Sequence, residues 1–195
     1  NFVLLNKLLG IPELRQRYLA HFRTILNNSF DQNYIDGLID QYANFIDSHV
    51  YNDPQKIYTY NQFLNEVNEL KDYFSDRSSY LWDNDEVSEI GSDIINVEYY
   101  VGSSAFVQPT SMDEVLVNVT IDSDDPEDVN LYYGTGLTGR FNKVSMNYSF
   151  ATGDYTFTIP PHDGGEYVRF YIESINSNGT RIYKPEGAEH NVYIY

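Results

Sequence analysis

Hydrophobic residues between positions 2 and 82 recur at the spacing of α-helices. After Pro12, which suits a first helical turn, apolar residues follow one another three or four positions apart as far as Leu26. A second stripe runs from Ile35 to Ile46 behind Asp31, a residue type favoured at helix N-caps. The pattern predicts a series of amphipathic helices in this half of the chain.

Two further segments complete the predicted helical half. Thr59 and Gln62 have the spacing of a capping box, and apolar residues behind them line one face of a long helix as far as Leu81. The opening segment, Phe2 to Leu9, is apolar almost all round, and a helix of that kind is expected to be covered on more than one side. We therefore expect residues 1–82 to form part of an α-helical bundle.

The pattern changes after Trp82. Residues 83–93 are polar and acidic, which is typical of a linker, and beyond them apolar and polar residues alternate. Strands are predicted at 95–101, 115–121, 129–133, 140–146, 155–159, 167–172 and 192–195. About seven short strands separated by Gly, Pro and Asp turns are typical of an immunoglobulin-like or fibronectin type III-like sandwich. The predicted class is α + β with several domains, an N-terminal α-helical bundle fragment followed by an all-β immunoglobulin-like sandwich at 94–195.

Composition narrows the possible functions. The formal net charge is −17, and residues 83–195 hold 19 of the 29 acidic side chains, so nucleic acids and anionic membrane surfaces should be repelled. No run of about 18 apolar residues is present, so no membrane span is expected. The count of 0 Cys excludes disulfides, thiolate metal sites and cysteine nucleophiles.

Four separated segments of the helical half carry a resemblance to a known family. They are LLGIPELRQRYLAHFRTIL at 8–26, an acidic helix at 35–45, YTYNQF at 58–63 and LKDYFSDR at 70–77. In these segments, and in their order, the chain resembles the C-terminal end of the spore-coat protein H (CotH) kinase family. The resemblance implies a parent protein similar to atypical protein kinases, which use ATP and a divalent metal such as Mg²⁺. It also implies an association with spore coats or with secreted surface or cellulosome-type proteins.

The same resemblance implies that this chain holds no reaction centre. The ATP-binding and metal-binding motifs of the family lie upstream of these helices, so no residue here matches them and none is assigned a catalytic or cofactor-binding role. The helices are then expected to support an upstream kinase-like lobe of the same protein. Because the chain opens at Asn1 without an initiator Met or a signal sequence, we expect such a segment to precede it.

The second half resembles the Ig-like modules that are often appended to bacterial secreted proteins. The matching segments are VNLYY at 129–133, FNKVSM at 141–146, GDYTFTIP at 153–160 and YVRFYIESINSNG at 167–179. This resemblance implies a fold and no activity.

Residues 134–139 read G-x-G-x-x-G, the spacing of a nucleotide-binding loop. A dinucleotide site needs a helix after the last glycine, whereas the residues that follow Gly139 are predicted to form a strand. A kinase would need a following strand lysine and catalytic and metal-binding aspartates over far more chain than remains. The segment is therefore predicted to be a hairpin turn.

An acidic cluster offers oxygen ligands for Ca²⁺ at Asp122, Asp124, Asp125, Glu127 and Asp128. The spacing is not that of an EF-hand, because the required Gly and closing Glu are missing. A solvated loop between strands is the preferred interpretation, and a weak Ca²⁺ site is the alternative. The four His residues are scattered and suggest neither a metal site nor a catalytic dyad.

Tyrosines of the predicted sandwich form a second candidate site. Tyr167 and Tyr171 should project away from the apolar face of their strand, and Tyr193 and Tyr195 away from that of the last strand. If the two strands are neighbours, these four side chains could form an exposed platform for a sugar or a protein partner. The alternatives are that this face packs on the helical half, or that the tyrosines only stabilise the sheet as cross-strand pairs.

The functional expectation is a non-catalytic C-terminal part of a secreted or surface CotH-like protein, with the sandwich positioning or tethering its parent. Its location would be extracellular, on the cell surface or in the spore coat. One alternative is an extracellular carbohydrate- or protein-binding module on a helical spacer. Another is a rigid spacer whose halves share an interface.

Overall fold

The computed structural model describes residues 3–122 and 126–195 and confirms the α + β class, with a helical N-terminal part followed by antiparallel β-sheets. By contacts the chain divides into two compact units. One unit contains Phe22–Glu89, and the other joins the chain up to His21 with Ile90–Tyr195. This division differs from the predicted helical boundary at residue 82, because the first part of the helical half groups with the sandwich.

The helices have clear local causes. Their bounds are α1, Val3–Leu9; α2, Pro12–Ser29; α3, Gln32–Asn52; α4, Tyr60–Trp82; and α5, Asp85–Ser88. Asp31 caps α3 by accepting a hydrogen bond from the Tyr34 backbone N–H at 2.9 Å. The capping box at α4 is present, because Thr59 Oγ1 accepts from Gln62 N and Gln62 Oε1 accepts from Thr59 N. Both caps agree with the prediction.

The unit Phe22–Glu89 holds α3 and α4 against each other. Lys71 on α4 pairs with Asp40 on α3 at 2.6 Å, and the ring of Phe74 lies edge-on to that of Phe30 at 5.6 Å. The predicted linker begins inside this unit and carries α5. Arg23 donates from Nε to the Val87 carbonyl at 2.9 Å and from Nη2 to the Glu86 carbonyl at 2.6 Å, so this part of the segment is docked and ordered.

The other unit contains a two-sheet sandwich. Its strands are β1, Ile94–Val101; β2, Ser104–Ala105; β3, Val115–Ile121; β4, Asp128–Thr135; β5, Asn142–Ser145; β6, Asn147–Tyr148; β7, Tyr155–Ile159; β8, Val168–Ile175; β9, Arg181–Lys184; and β10, Tyr193–Ile194. The first sheet has the order β2-β1-β3-β7-β6, and the second has the order β10-β8-β4-β5 with β9 also paired to β8. All strand pairs are antiparallel.

The core lies between the two sheets. Valines at alternate positions of β3 face Phe170 and Ile172 of β8 and Leu131 of β4, and each of these side chains is almost fully buried. This alternation is the period-two pattern read from the sequence. Strands occur at all the predicted places, and the prediction omitted β2, β6 and β9. The finer assignment to the immunoglobulin-like or fibronectin type III-like group stays a prediction.

Strand β8 departs from the expected pattern of one buried and one exposed face. All its residues from Val168 to Ser174 are buried, including Arg169 and Glu173. A strand of this kind needs cover on both faces of its sheet. The candidate site described next lies on the outer face of β8. No helix among the described residues is long and apolar enough to cross a membrane.

Candidate functional site

A group of polar side chains is buried on the outer face of the second sheet. Its centre is Glu173 of β8, whose side chain is only 1% exposed. Around it lie five side chains from β4, β5 and β9, and we call these residues together with Glu173 the Glu173 cluster: Asn130, Tyr132, Lys143, Glu173, Arg181 and Tyr183. The strand register causes this gathering, because Glu173 is directly opposite Asn130 on one side and Tyr183 on the other.

The two carboxylate oxygens of Glu173 have different partners. Oε1 accepts hydrogen bonds from the Arg181 guanidinium and, at 2.9 Å, from the Tyr183 hydroxyl. Oε2 accepts from the Tyr132 hydroxyl at 3.0 Å and from Asn130 Nδ2 at 3.3 Å, and it lies 3.4 Å from Lys143 Nζ. All lone pairs of the buried carboxylate are therefore in use, as a buried charge requires.

These contacts determine the ionisation of Glu173. Burial by itself would raise the pKa of Glu173, but the Arg181 charge, hydrogen bonds from Arg181 and Tyr183 and the Lys143 charge outweigh burial and hold that pKa below its usual 4.5. The pKa values of the two tyrosines in the cluster change in the opposite direction. Burial first, and then the neighbouring Glu173 charge, raise the pKa of Tyr132 and of Tyr183 far above the ordinary value. The cluster is thus an anion surrounded by neutral hydroxyls and two cations.

The first part of α2 covers this face, within the same compact unit. Arg17 donates from Nη2 to the Tyr171 hydroxyl at 3.0 Å, and its guanidinium lies 5.4 Å from the centre of the Tyr183 ring. Glu13 lies 3.6 Å from Arg181. The stacked rings of Tyr132 and Tyr171, with centres 4.6 Å apart, form the floor under these contacts.

The four predicted platform tyrosines do not share one exposed surface. Tyr167 is 54% exposed, whereas Tyr171 is 1% exposed and lies under α2. The prediction for Tyr193 and Tyr195 was wrong, since both pack on Phe170 in the inner core, at ring distances of 5.1 and 6.2 Å. The register explains this, because Tyr193 is directly opposite Phe170 and therefore shares its face.

The glycine-rich segment is a hairpin connection, as predicted. It joins β4 to β5, which pair antiparallel with Tyr133 opposite Asn142. Gly136 and Gly139 have φ angles of 71° and 120°, a region that favours glycine. A Cβ on Gly134 would lie only 2.8 Å from the Arg140 carbonyl oxygen, so the close return of the chain requires glycine there.

The Ca²⁺ interpretation is not tested by the structure. Asp124 and Asp125 lie outside the described residues. Of the others, Asp128 Oδ2 accepts a hydrogen bond from Asn130 Nδ2 at 2.9 Å. Among the residues that the structure describes, no group of three or more His, Cys, Asp or Glu side chains is placed to hold a metal ion. The Ca²⁺ site stays a prediction.

Two of the scattered histidines come together, although their positions in sequence gave no sign of it. The rings of His21 and His190 lie 6.5 Å apart. Burial, together with the Arg17 and His190 charges, lowers the pKa of His21. The pair therefore favours the neutral state of His21 beside Arg17.

A polar cleft at one end of the sandwich was not foreseen. Two adjoining cavities of about 210 and 610 Å³ share a wall made by Ser111, His162, Asp163 and Glu166. The exposed ring of Tyr167 lies at the smaller cavity, and Arg140 lies at the larger one. The lining comes from the loops before β3, between β4 and β5, and before β8, so no local sequence motif could reveal it.

Comparison with known proteins agrees with the resemblance of the helical half. Residues 1–81 match the family model described as CotH kinase protein. No curated protein sequence matches the chain significantly.

Solved structures give a much weaker likeness. One is the crystal structure of a Br derivative of BhCBM56, with 9% identity, a TM-score of 0.35 and coverage of 54% of this chain and 98% of that chain. Another is a family 56 carbohydrate-binding module described as a β-1,3-glucan binding domain, with 15% identity, a TM-score of 0.32 and coverage of 50% of this chain and 96% of that chain. Structural similarity at this level does not support an inference about function. At the level of sequence, residues 1–81 are similar to the CotH kinase protein family.

Proposed function

We propose that this chain is a non-catalytic part of a secreted or surface CotH-like protein, in which the β-sandwich is a positioning and tethering module fastened to the CotH-related helices. The observation that supports this proposal is that α2 covers the outer face of β8. A face that would be free in an independent binding domain is occupied by the first part of α2, which belongs to the segment matching the CotH family.

The contacts under α2 favour a permanent attachment. Arg17 is half-buried, and it combines a hydrogen bond to Tyr171, the ring of Tyr183 and an ion pair with Glu189 at 3.7 Å. A hydrogen bond from a charged group that is partly removed from water contributes about 2 kcal/mol.

An upstream kinase-like lobe that supplies ATP and Mg²⁺ chemistry is the partner we propose for the helices, and we propose an extracellular, cell-surface or spore-coat location on the same similarity.

Amide hydrogen exchange on the full chain tests the attachment. Arg17→Met keeps an unbranched apolar side chain and removes the guanidinium with its hydrogen bonds, so amides of residues 12–21 should exchange roughly 30-fold faster, for about 2 kcal/mol lost. Arg77→Met is the matched control, because Arg77 lies over the Tyr80 ring on α4 in the other unit and should leave residues 12–21 unchanged. Equal exchange in wild type and Arg17→Met would contradict the proposed attachment, and Mg²⁺-dependent ATP turnover by the purified chain would contradict its non-catalytic character.

A second candidate function is binding of a neutral saccharide in the cleft at the end of the sandwich. The exposed ring of Tyr167 offers a stacking surface, and side chains such as His162, Asp163 and Glu166 offer donors and acceptors for hydroxyl groups. The net charge of −17 favours a neutral ligand over an acidic one.

This candidate is tested with a panel of neutral oligosaccharides on an array, followed by calorimetry. Tyr167→Ala should weaken any binding by at least about 1 kcal/mol, as expected for an aromatic residue at the centre of a contact. Tyr148→Ala provides the control, since Tyr148 is 42% exposed on β6 and does not line the cleft. No binding by the wild-type chain, or equal loss in both variants, would exclude the cleft as a saccharide site.

A further inference from the structure

The Glu173 cluster places an amine, a carboxamide and a carboxylate on three adjacent strands. Strand β4 lies between β8 and β5, with Asn130 opposite Glu173 on one side and Ser145 on the other. Lys143 is opposite Tyr132, which makes it the diagonal neighbour of Asn130 on the same face. Diagonal neighbours are about 7–8 Å apart, a separation that a lysine side chain can span.

The amine of Lys143 and the amide nitrogen of Asn130 lie close to the same carboxylate oxygen. Glu173 Oε2 lies 3.4 Å from Lys143 Nζ and 3.3 Å from Asn130 Nδ2. Ser145 Oγ donates to Asn130 Oδ1 at 3.3 Å, which withdraws electron density from the amide carbon. The amine and the leaving nitrogen are therefore both held beside one proton acceptor, and the carboxamide that carries the leaving nitrogen is polarised.

The fold also keeps water away from the Asn130 amide. Asn130 is 0% exposed and Glu173 is 1% exposed, so hydrolysis of the amide is disfavoured. The nucleophile is held in the same molecule, and intramolecular reactions of well-placed groups reach very high effective concentrations.

We propose that Lys143 and Asn130 join spontaneously as a side-chain amide cross-link between β5 and β4. Lys143 passes a proton from Nζ to Glu173, and the Nζ lone pair attacks Asn130 Cγ while Ser145 stabilises the oxygen of the tetrahedral intermediate. The intermediate breaks its Cγ–Nδ2 bond, Nδ2 takes up the proton returned by Glu173, and ammonia leaves as Nζ loses its second proton. The products are one secondary amide and one ammonium ion, so no oxidant or other co-reactant is needed.

The charges around Glu173 set the speed of this reaction. Arg181 and Tyr183 occupy Oε1, and Asp128 also accepts a hydrogen bond from Asn130 Nδ2. Arg181 keeps Glu173 ionised and makes it a weak base, so the step is slow. It need occur only once in each molecule, and the loss of ammonia to solvent makes it irreversible.

Intact mass spectrometry of the full chain under denaturing conditions tests the proposal. Wild-type protein should be lighter than its sequence mass by one ammonia, and a tryptic digest should contain the peptide of Lys143 joined to that of Asn130. Lys143→Arg should have its full sequence mass, because a guanidinium is not a nucleophile at neutral pH. This variant should fold, since the Lys143 side chain is 41% exposed, and circular dichroism verifies that it does.

Two outcomes would overturn the proposal. The first is an aged wild-type sample at its full sequence mass. The second is an ammonia deficit that persists in Lys143→Arg, which would assign the loss to ring closure at Asn178, where a glycine with φ of 87° follows in the turn. Because the readout is a mass, neither outcome depends on whether the sandwich has a positioning role.

Discussion

Glu173 shows how a single residue can couple the stability of the sandwich to pH. Its pKa is lowered in the folded state, so ionised Glu173 stabilises the fold above pH 4.5, and this contribution is lost as the pH falls through the native pKa. The predicted strand 167–172 ended one residue before Glu173, and the sequence gave no sign that Glu173 would be buried, because its partners come from β4, β5 and β9.

Glu173→Gln is predicted to destabilise the sandwich and to reduce its sensitivity to acid. The change removes the charge that pairs with Arg181, and breaking a buried ion pair costs about 3 kcal/mol at neutral pH. Below pH 4.5 the wild-type free energy of unfolding should fall more steeply than that of the variant. Urea unfolding followed by tyrosine circular dichroism over a pH series measures both effects.

Glu127→Gln supplies the control for that series. Glu127 is an exposed carboxylate of the same unit, so its loss should change the free energy of unfolding little. Parallel pH curves for wild type and Glu173→Gln would show that the carboxylate of Glu173 is not responsible for the acid sensitivity.

At the scale of elements, caps and periodicity were readable from sequence because they are local. The Asp31 cap and the Thr59 capping box involve residues three positions apart, and the structure has both. The cover on β8 was not readable, because Arg17 and Tyr171 are separated by 154 positions. A tyrosine on the polar side of an alternating strand has the same local pattern whether water or a helix lies above it.

Thr59→Ala is predicted to destabilise the unit Phe22–Glu89. The substitution removes the acceptor for the Gln62 backbone N–H, and loss of an N-cap side chain costs about 1 kcal/mol. The single tryptophan, Trp82, lies at the end of α4, so its fluorescence during urea unfolding reports on this unit.

Thr59→Ser keeps the hydroxyl and serves as the matched control. It should retain the free energy of unfolding of the wild type within a few tenths of a kcal/mol. If the alanine and serine variants unfold alike, the cap does not limit the stability of α4.

At the scale of the whole molecule, net charge can be read from the sequence, whereas the exposure of side chains cannot. The net charge of −17 is known from composition, and the expected repulsion of nucleic acids follows from it and stays a prediction. Exposure is known only from the structure. The apolar residues Val3 and Leu4 of α1 are 59% and 72% exposed, so the cover expected for this helix is not supplied by the described residues. An upstream lobe as the cover remains part of the proposed function.

The sequence by itself determined the helices, the main strands, the hairpin at 134–139 and the similarity of residues 1–81 to the CotH family. The helices, strands and hairpin follow from spacing within about 20 residues, where side-chain period and capping chemistry act directly. Tertiary structure decided which tyrosines are buried, that Glu173 collects its partners and that a cleft forms between loops. Those outcomes depend on strand register and on which helix lies over which face, and both are set by packing between residues far apart in the chain.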